Sequence, residues 1–345
     1  MENKQPLLSI CIPTYNRSDY LIENLKILMP QVKAFSCEVE LLISDNASNE
    51  ENYENLKNFL RLQDCPHTFY RHEKNIGGKA NFNFIANKAV GDYLFLLGDD
   101  DILSLNFLEI LLPYLRTHAY SVVHWNRLKG NTFCSNNKIQ RSFFDGLTRE
   151  ISMETFLKDD SFDATFISSV IVAKKAWQLG KQYERDEYYG YEWFGRLCWG
   201  SILDSRPVLW YYMPLVLHRN PPKEWIRDLP IYLIIGIGNI YKDLEQKVPG
   251  IYPYGLQWIH KICNVEWTIK EMGATNQSYY RQFEPLFAEH LTNDERKKLH
   301  YWLHTKHLNI ALKFSLIKFY TKKLVAVFGK RAKKMLGTKN QSQMF

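Results

Sequence analysis

Gly91-Asp-Tyr-Leu-Phe-Leu-Leu-Gly-Asp-Asp-Asp101 is the stretch that decides the fold. Tyr93 to Leu97 is an apolar run of strand length, broken by Gly98 and followed at once by three carboxylates, Asp99, Asp100 and Asp101. Three adjacent acids repel one another. The repulsion falls when a hard divalent cation such as Mg²⁺ or Mn²⁺ sits among them, because these ions prefer carboxylate and phosphate oxygens. Ligands of open α/β sheets also bind at the carboxyl ends of buried strands. The stretch therefore reads as a metal-diphosphate site or as a solvated acidic turn capping a helix near Ser104.

The residues upstream supply a sheet for that strand. Leu7 to Ile12 predicts a buried first strand, with Pro13-Thr-Tyr-Asn-Arg17 as its loop. Ser18 or Asp19 can cap the next helix, whose Leu21, Ile22, Leu25 and Leu28 recur at helical spacing. Val39 to Ser44, Glu50 to Leu62, Thr68 to Arg71 and Lys79 to Val90 then read as strand, helix, strand and helix. Such alternation predicts a mostly parallel, Rossmann-like sheet flanked by helices. Loops after successive parallel strands share one edge, so Pro13 to Arg17, Asp45, Asn46 and Asp99 to Asp101 face one crevice. In it Tyr15 can stack on a base and Asp45 can accept from a base edge or ribose. Arg17 and Lys79 can meet phosphate oxygens. Each is ordinary loop chemistry alone; their convergence is the signal.

Ser9-Ile-Cys-Ile-Pro-Thr-Tyr-Asn-Arg17, Leu42-Ile-Ser-Asp-Asn-Ala-Ser48, Asn75-Ile-Gly-Gly-Lys-Ala-Asn-Phe-Asn83 and the Gly91 to Asp101 stretch resemble, in order and spacing, the successive motifs of family 2 glycosyltransferases. Within that family the Leu-Gly-Asp-Asp-Asp ending is most similar to abequosyltransferase-like bacterial enzymes that build surface polysaccharides. The resemblance covers roughly the first 105 residues and thins beyond Gly130. It implies a GT-A fold, an inverting mechanism and a nucleotide-sugar donor held with Mn²⁺ or Mg²⁺. Pro13, Thr14, Tyr15, Arg17, Asp45, Asn46, Gly77, Lys79, Asn83, Asp99 and Asp100 are the donor residues it implies. Gly98 departs from the pattern, standing where many members carry the first acid of an Asp-x-Asp motif. With the roles moved accordingly, Asp101 is the principal metal ligand, Asp99 assists, and Asp100 contributes hydrogen bonds. Members also carry a base at a helix start near Tyr183 to Arg196; Glu192 matches best, with Asp186 and Glu187 in reserve. After Val208 to Leu217, His218 is a third candidate metal ligand and Arg219 a phosphate contact.

The chemistry requires a base, because an acceptor hydroxyl is a weak nucleophile and a positioned carboxylate contributes about 10²- to 10⁴-fold. Leu105 to Leu115 reads as a helix and Ala119 to Trp125 as a strand whose His124 and Trp125 border the acceptor side. Thr165 to Val172 is strand-like, although Ser168 and Ser169 are unusual for a core strand. Pro221-Pro222 marks a boundary, giving a donor half (1–102), an acceptor half (103–222) and a helical C-terminal extension (223–345).

Composition narrows the remaining classes. A 46% hydrophobic content excludes a disordered chain, and six cysteines without a CxxC pair argue against a disulfide framework or a zinc site. The chain reads as cytoplasmic, since no apolar run approaches a membrane span. Arg296 to Phe345 holds 13 Lys and Arg and no acid, so the net charge of +7 leaves −6 on the rest. That tail is expected either to lie peripherally on the anionic inner face of the plasma membrane or to pack as a helix with a solvated lysine face. Nucleic acid is not an expected partner, since no nucleic-acid motif accompanies the charge. The expected partners are a nucleotide-sugar donor and a glycan or polyprenyl-linked acceptor. A sugar nucleotidyltransferase would show a Gly-rich loop where Pro13-Thr-Tyr-Asn-Arg stands. A carbohydrate-binding protein on the same fold is the non-enzyme alternative.

Overall fold

A computed structural model describes residues 5–129, 148–159, 163–219, 228–262, 268–269, 272 and 277–304. The chain divides into two compact units, Met1–Cys263 and Asn264–Phe345. The expected boundary at Pro221-Pro222 and the tail beyond residue 304 lie outside the described residues.

In the first unit, strands β1 (Leu8–Thr14), β2 (Val39–Asp45), β3 (Thr68–Arg71) and β4 (Tyr93–Leu96) pair in the order β3-β2-β1-β4, all parallel. Residue pairs Thr14↔Asp45 and Asp45↔Arg71 align their carboxyl ends along one edge. Helices α1 (Ser18–Ala34), α2 (Glu50–Arg61) and α3 (Gly78–Lys88) make the crossovers. Helix α1 buries Leu21, Leu25, Leu28 and Val32, the spacing of one helical face. Its start differs from expectation. Arg17, not Ser18 or Asp19, sits at the N-cap without a side-chain cap bond, because Ser18 is the first helical residue and its N–H and hydroxyl both donate to Asn52 Oδ1 at 2.9 Å.

Beyond β4 the sheet becomes mixed. The remaining strands are β5 (Ile102–Leu103), β6 (Val122–Lys129), β7 (Thr148–Ile151), β8 (Val170–Ala173) and β9 (Val208–His218). Strand β8 inserts antiparallel between β4 and β6, β9 runs parallel to β6, and β5 and β7 pair antiparallel with β9. Helix α4 (Phe107–Leu115) covers this half, where Phe95, Phe107 and Trp125 form a ring cluster with centroids 5.2 to 5.4 Å apart. His124 and Trp125 are therefore fully buried core residues and do not border an acceptor. Thr165 to Ser169 is not strand. It forms two short 3₁₀ turns, Asp163–Thr165 and Ile167–Ser169, since Ser168 spends its hydroxyl on the acidic loop.

Helix α5 (Met153–Asp159) precedes β8, and α6 (Lys174–Leu179) packs against α7 (Glu192–Asp204). The crossing is close enough that a Cβ on Gly200 would stand 1.9 Å from the Ala176 carbonyl oxygen. This contact fixes where the start of α7, and hence Glu192, can lie. A π-helical turn, Ile231–Gly236, leads into α8 (Ile237–Leu244), followed by α9 (Tyr252–Ile262).

The second unit contains α10 (Gln277–Arg281), α11 (Glu284–His290) and α12 (Asn293–His304). Tyr280, Phe287, Leu299 and Leu303 are among its buried residues. Gln277 Nε2 and Arg281 Nε donate to the Trp302 and Leu303 carbonyls at 2.7 and 2.8 Å, satisfying acceptors in the last turn of α12.

Candidate active site

The loop after β1 and the loop after β4 meet at the sheet's carboxyl edge. Thr14 Oγ1 donates to Asp99 Oδ2 at 2.8 Å, while Arg17 Nη1 lies 3.1 Å from Asp99 Oδ1 and 3.5 Å from Asp100 Oδ2. All three aspartates are at most 6% exposed. Burial pushes the Asp99 carboxyl up to about 6; Arg17 opposes that shift and neighbouring Asp100 adds to it. The loop is thus short of positive charge.

Asp101 is held from another side. Ser168 Oγ accepts from the Gly98 N–H at 2.9 Å and donates to Asp101 Oδ2 at 2.6 Å. A Cβ on Gly98 would stand 2.9 Å from Asp101 Oδ2 and 3.2 Å from both Asp100 Oδ1 and Ser168 Oγ. Glycine at this position therefore leaves room for the serine clasp. The antiparallel pairing Ile102↔Leu217, continued by one residue, sets His218 opposite Asp101. The His218 ring packs on Phe166 with centroids 4.5 Å apart.

Arg219 lies under this loop and serves the protein itself. Its Nε donates to the Asp100 carbonyl at 2.5 Å, Nη2 to the Tyr20 carbonyl at 2.8 Å, and Nη1 pairs with Glu23. It ties the acidic loop to α1 rather than offering a free guanidinium.

The loop after β2 is equally built. Asp45, 1% exposed, accepts from the Ser48 N–H and hydroxyl and has Arg71 Nε 3.7 Å away. Asn46 donates its N–H to the Thr14 carbonyl at 2.9 Å and its amide to Asn75 Oδ1 at 3.0 Å, and its own Oδ1 accepts from Ile76 N–H at 2.9 Å. Asn75 Oδ1 also accepts from Gly77 N–H at 2.8 Å, which places the start of α3 beside the first two loops. Tyr15 is 38% exposed at the rim and Pro13 is half-buried.

From α3 the connection reaches the base candidates. Lys79 Nζ lies 2.6 Å from Asp186 Oδ1 and 3.3 Å from Glu192 Oε1. Burial works to lower the Lys79 ammonium, but the two carboxylates prevail and hold it above its ordinary value. Glu192 is the first residue of α7 and 8% exposed, whereas the Asp186 side chain is 96% exposed. Asn83 donates to Glu184 Oε1 at 3.0 Å, and Glu184 Oε2 pairs with Arg196 of α7 at 3.4 Å. Glu187 is exposed, and its backbone carbonyl accepts from Asn239. Sequence reasoning missed Ser168, Ser48, Asn75 and Glu184. The serine pair in an otherwise apolar run was the one available signal for Ser168.

A sheet flanked by helices, with an acidic loop at the end of β4, is the architecture of the GT-A class. Residues 9–176 match the family described as Glycosyl transferase family 2. The chain is 31% identical over 189 residues to abequosyltransferase RfbV of Salmonella typhimurium, covering 50% of this chain and 54% of that protein. The match thus spans about half the length of that relative. S. aureus TarS 1–349 shares the fold with a TM-score of 0.61 at 14% identity over 86% of each chain. A mannosyltransferase of Pyrobaculum calidifontis, in complex with GDP-Man and Mn²⁺, gives 0.50 at 12% identity over 87% and 85%. At such identities the likeness is one of fold.

Proposed function

We propose that the chain transfers a sugar, with inversion, from a nucleotide-diphosphate donor to a glycan or polyprenyl-linked acceptor in bacterial surface polysaccharide synthesis. The supporting observation is the convergence of Thr14, Arg17, Asp99 and Asp100 at one strand edge, linked through Asn46, Asn75 and Lys79 to Glu192.

A divalent cation fits this loop. The donor set is hard carboxylate oxygen, and Arg17 already stands as a cation between Asp99 and Asp100. Asp99 and Asp100 share that cation, so they join Asp101 as residues that would hold the metal. When bound, it would stabilise charge building on the leaving diphosphate. Arg17 and Lys79 line the same path and suit phosphate oxygens. In the transfer, the acceptor oxygen bonds to the anomeric carbon as the bond to diphosphate breaks, and Glu192 takes the acceptor proton. Tyr191 and Trp193 flank Glu192 with ring centroids 6.3 Å apart and suit a sugar face.

Screening nucleotide sugars for nucleotide release, with and without Mn²⁺, tests the reading. Release with transfer to a glycan acceptor is the expected result, and no release from any donor would defeat it. The basic tail is assigned to the anionic inner face of the plasma membrane. Deleting Arg296 to Phe345 should then abolish binding to anionic liposomes; equal binding would remove that assignment.

A further inference from the structure

Glu284, His300 and His304 form a cluster in the C-terminal unit that the proposed transfer does not use. His300 and His304 are four residues apart on α12, so their rings share one face, with centroids 4.5 Å apart. Glu284 opens α11 and gives one carboxylate oxygen to each ring: Oε1 lies 2.7 Å from His300 Nδ1 and Oε2 lies 2.8 Å from His304 Nε2. One ligand atom from each residue lies within 4.8 Å of the other two. Small side-chain rotations bring such a trio onto one ion with bonds of about 2.0–2.2 Å.

We propose that Glu284, His300 and His304 bind one borderline transition-metal ion, Zn²⁺ in the first instance, which clips the start of α11 to the end of α12. Two imidazoles and a carboxylate suit Zn²⁺, Co²⁺ or Ni²⁺, whereas Mg²⁺ and Mn²⁺ favour the all-oxygen loop of the first unit. The rings are accessible, the His300 and His304 side chains being 66% and 45% exposed, so an ion can enter and water can complete the coordination. Without metal, each ring must carry a proton on the nitrogen facing Glu284 to make its hydrogen bond. The ion replaces those protons. Its charge also lies at the C-terminal end of α12, where the helix dipole favours a cation.

The test uses the full, tag-free chain stripped with a chelator and titrated with ZnCl₂ by calorimetry, beside H300Q/H304Q and E284Q. Glutamine keeps a hydrogen-bonding partner at each position, and circular dichroism checks that the variants fold. The expected result is one Zn²⁺ per wild-type chain, bound at least about 10-fold more tightly than by either variant. Zn²⁺ should raise the melting temperature of wild type and of D99N, but not of H300Q/H304Q. If wild type and H300Q/H304Q bind Zn²⁺ alike, or if Zn²⁺ leaves the wild-type melting temperature unchanged, the site does not exist. Since D99N is expected to keep this site, failure here is separable from failure of the transferase reading.

Discussion

Two acidic centres of the first unit, Asp99 to Asp101 and Glu192, are buried to a similar degree but differ in their share of positive charge. At the end of β4 lie three aspartates at most 6% exposed; Asp99 and Asp100 share the Arg17 guanidinium, and Asp99 is pushed up to about 6. At the start of α7, Glu192 is 8% exposed but faces its own ammonium, Lys79, with the open carboxylate of Asp186 beyond it. An added cation would relieve the first centre, whereas Glu192 already has a counter-ion in Lys79. On the proposed reading the same residue chemistry would serve leaving-group charge in one place and proton removal in the other, and the local supply of positive charge is what separates them.

Removing the second centre should have the largest effect. Glu192→Gln keeps shape and removes basicity, and turnover should fall by about 10²- to 10⁴-fold while donor affinity is retained. Nucleotide release at saturating donor, beside donor binding by calorimetry, checks this; unchanged turnover would take Glu192 out of the reaction.

Removing charge from the first centre should act in two directions. Asp99→Asn is expected to weaken metal-dependent donor binding by at least about 10-fold. The same change should stabilise the metal-free protein above pH 6. The folded state holds the Asp99 proton to about 6, compared with 3.8 for an ordinary aspartate. Stability is therefore fullest below the unfolded value and is lost as pH rises through the folded one, by up to about 3 kcal/mol. Urea midpoints between pH 4 and 7 should fall in wild type and stay flatter in Asp99→Asn; parallel curves would contradict the assignment. Ser168→Ala comes next, with an expected loss of about 1–3 kcal/mol because the Gly98 N–H and an Asp101 oxygen lose their shared partner. A urea midpoint within error of wild type would show that the clasp carries no weight.

How far the sequence could be read follows from how local each feature is. Strands β1 to β4 alternate with amphipathic helices, and parallel pairing puts their loops on one edge, so Pro13 to Arg17, Asp45 and Asp99 to Asp101 were legible together. The antiparallel half was less so. His124 and Trp125 read as a site border because nothing nearby reveals that Phe95 and Phe107 close over Trp125. Arg219 looked like a phosphate contact because its acceptors, Tyr20, Glu23 and Asp100, are more than 100 residues away. Ser168 shows the same limit. Its serine pair was visible, but its partners on the acidic loop, 67 and 70 residues back, belong to tertiary structure.

Asp186 offers the finest test of the comparison. Its ion pair with Lys79 is short, 2.6 Å, and lowers the Asp186 carboxyl through that hydrogen bond, yet its side chain is 96% exposed. Water competes for both partners, and exposed pairs contribute about 0–1 kcal/mol. If the second centre is balanced by Lys79 and Glu192 alone, Asp186→Asn should change turnover by less than about 3-fold and stability by less than about 0.5 kcal/mol. The side chain would then be a tether that orients Lys79 without entering the chemistry. A fall matching that of Glu192→Gln would reverse the assignment: Asp186 would be the base, and Glu192 the buried counter-charge that keeps Lys79 in place.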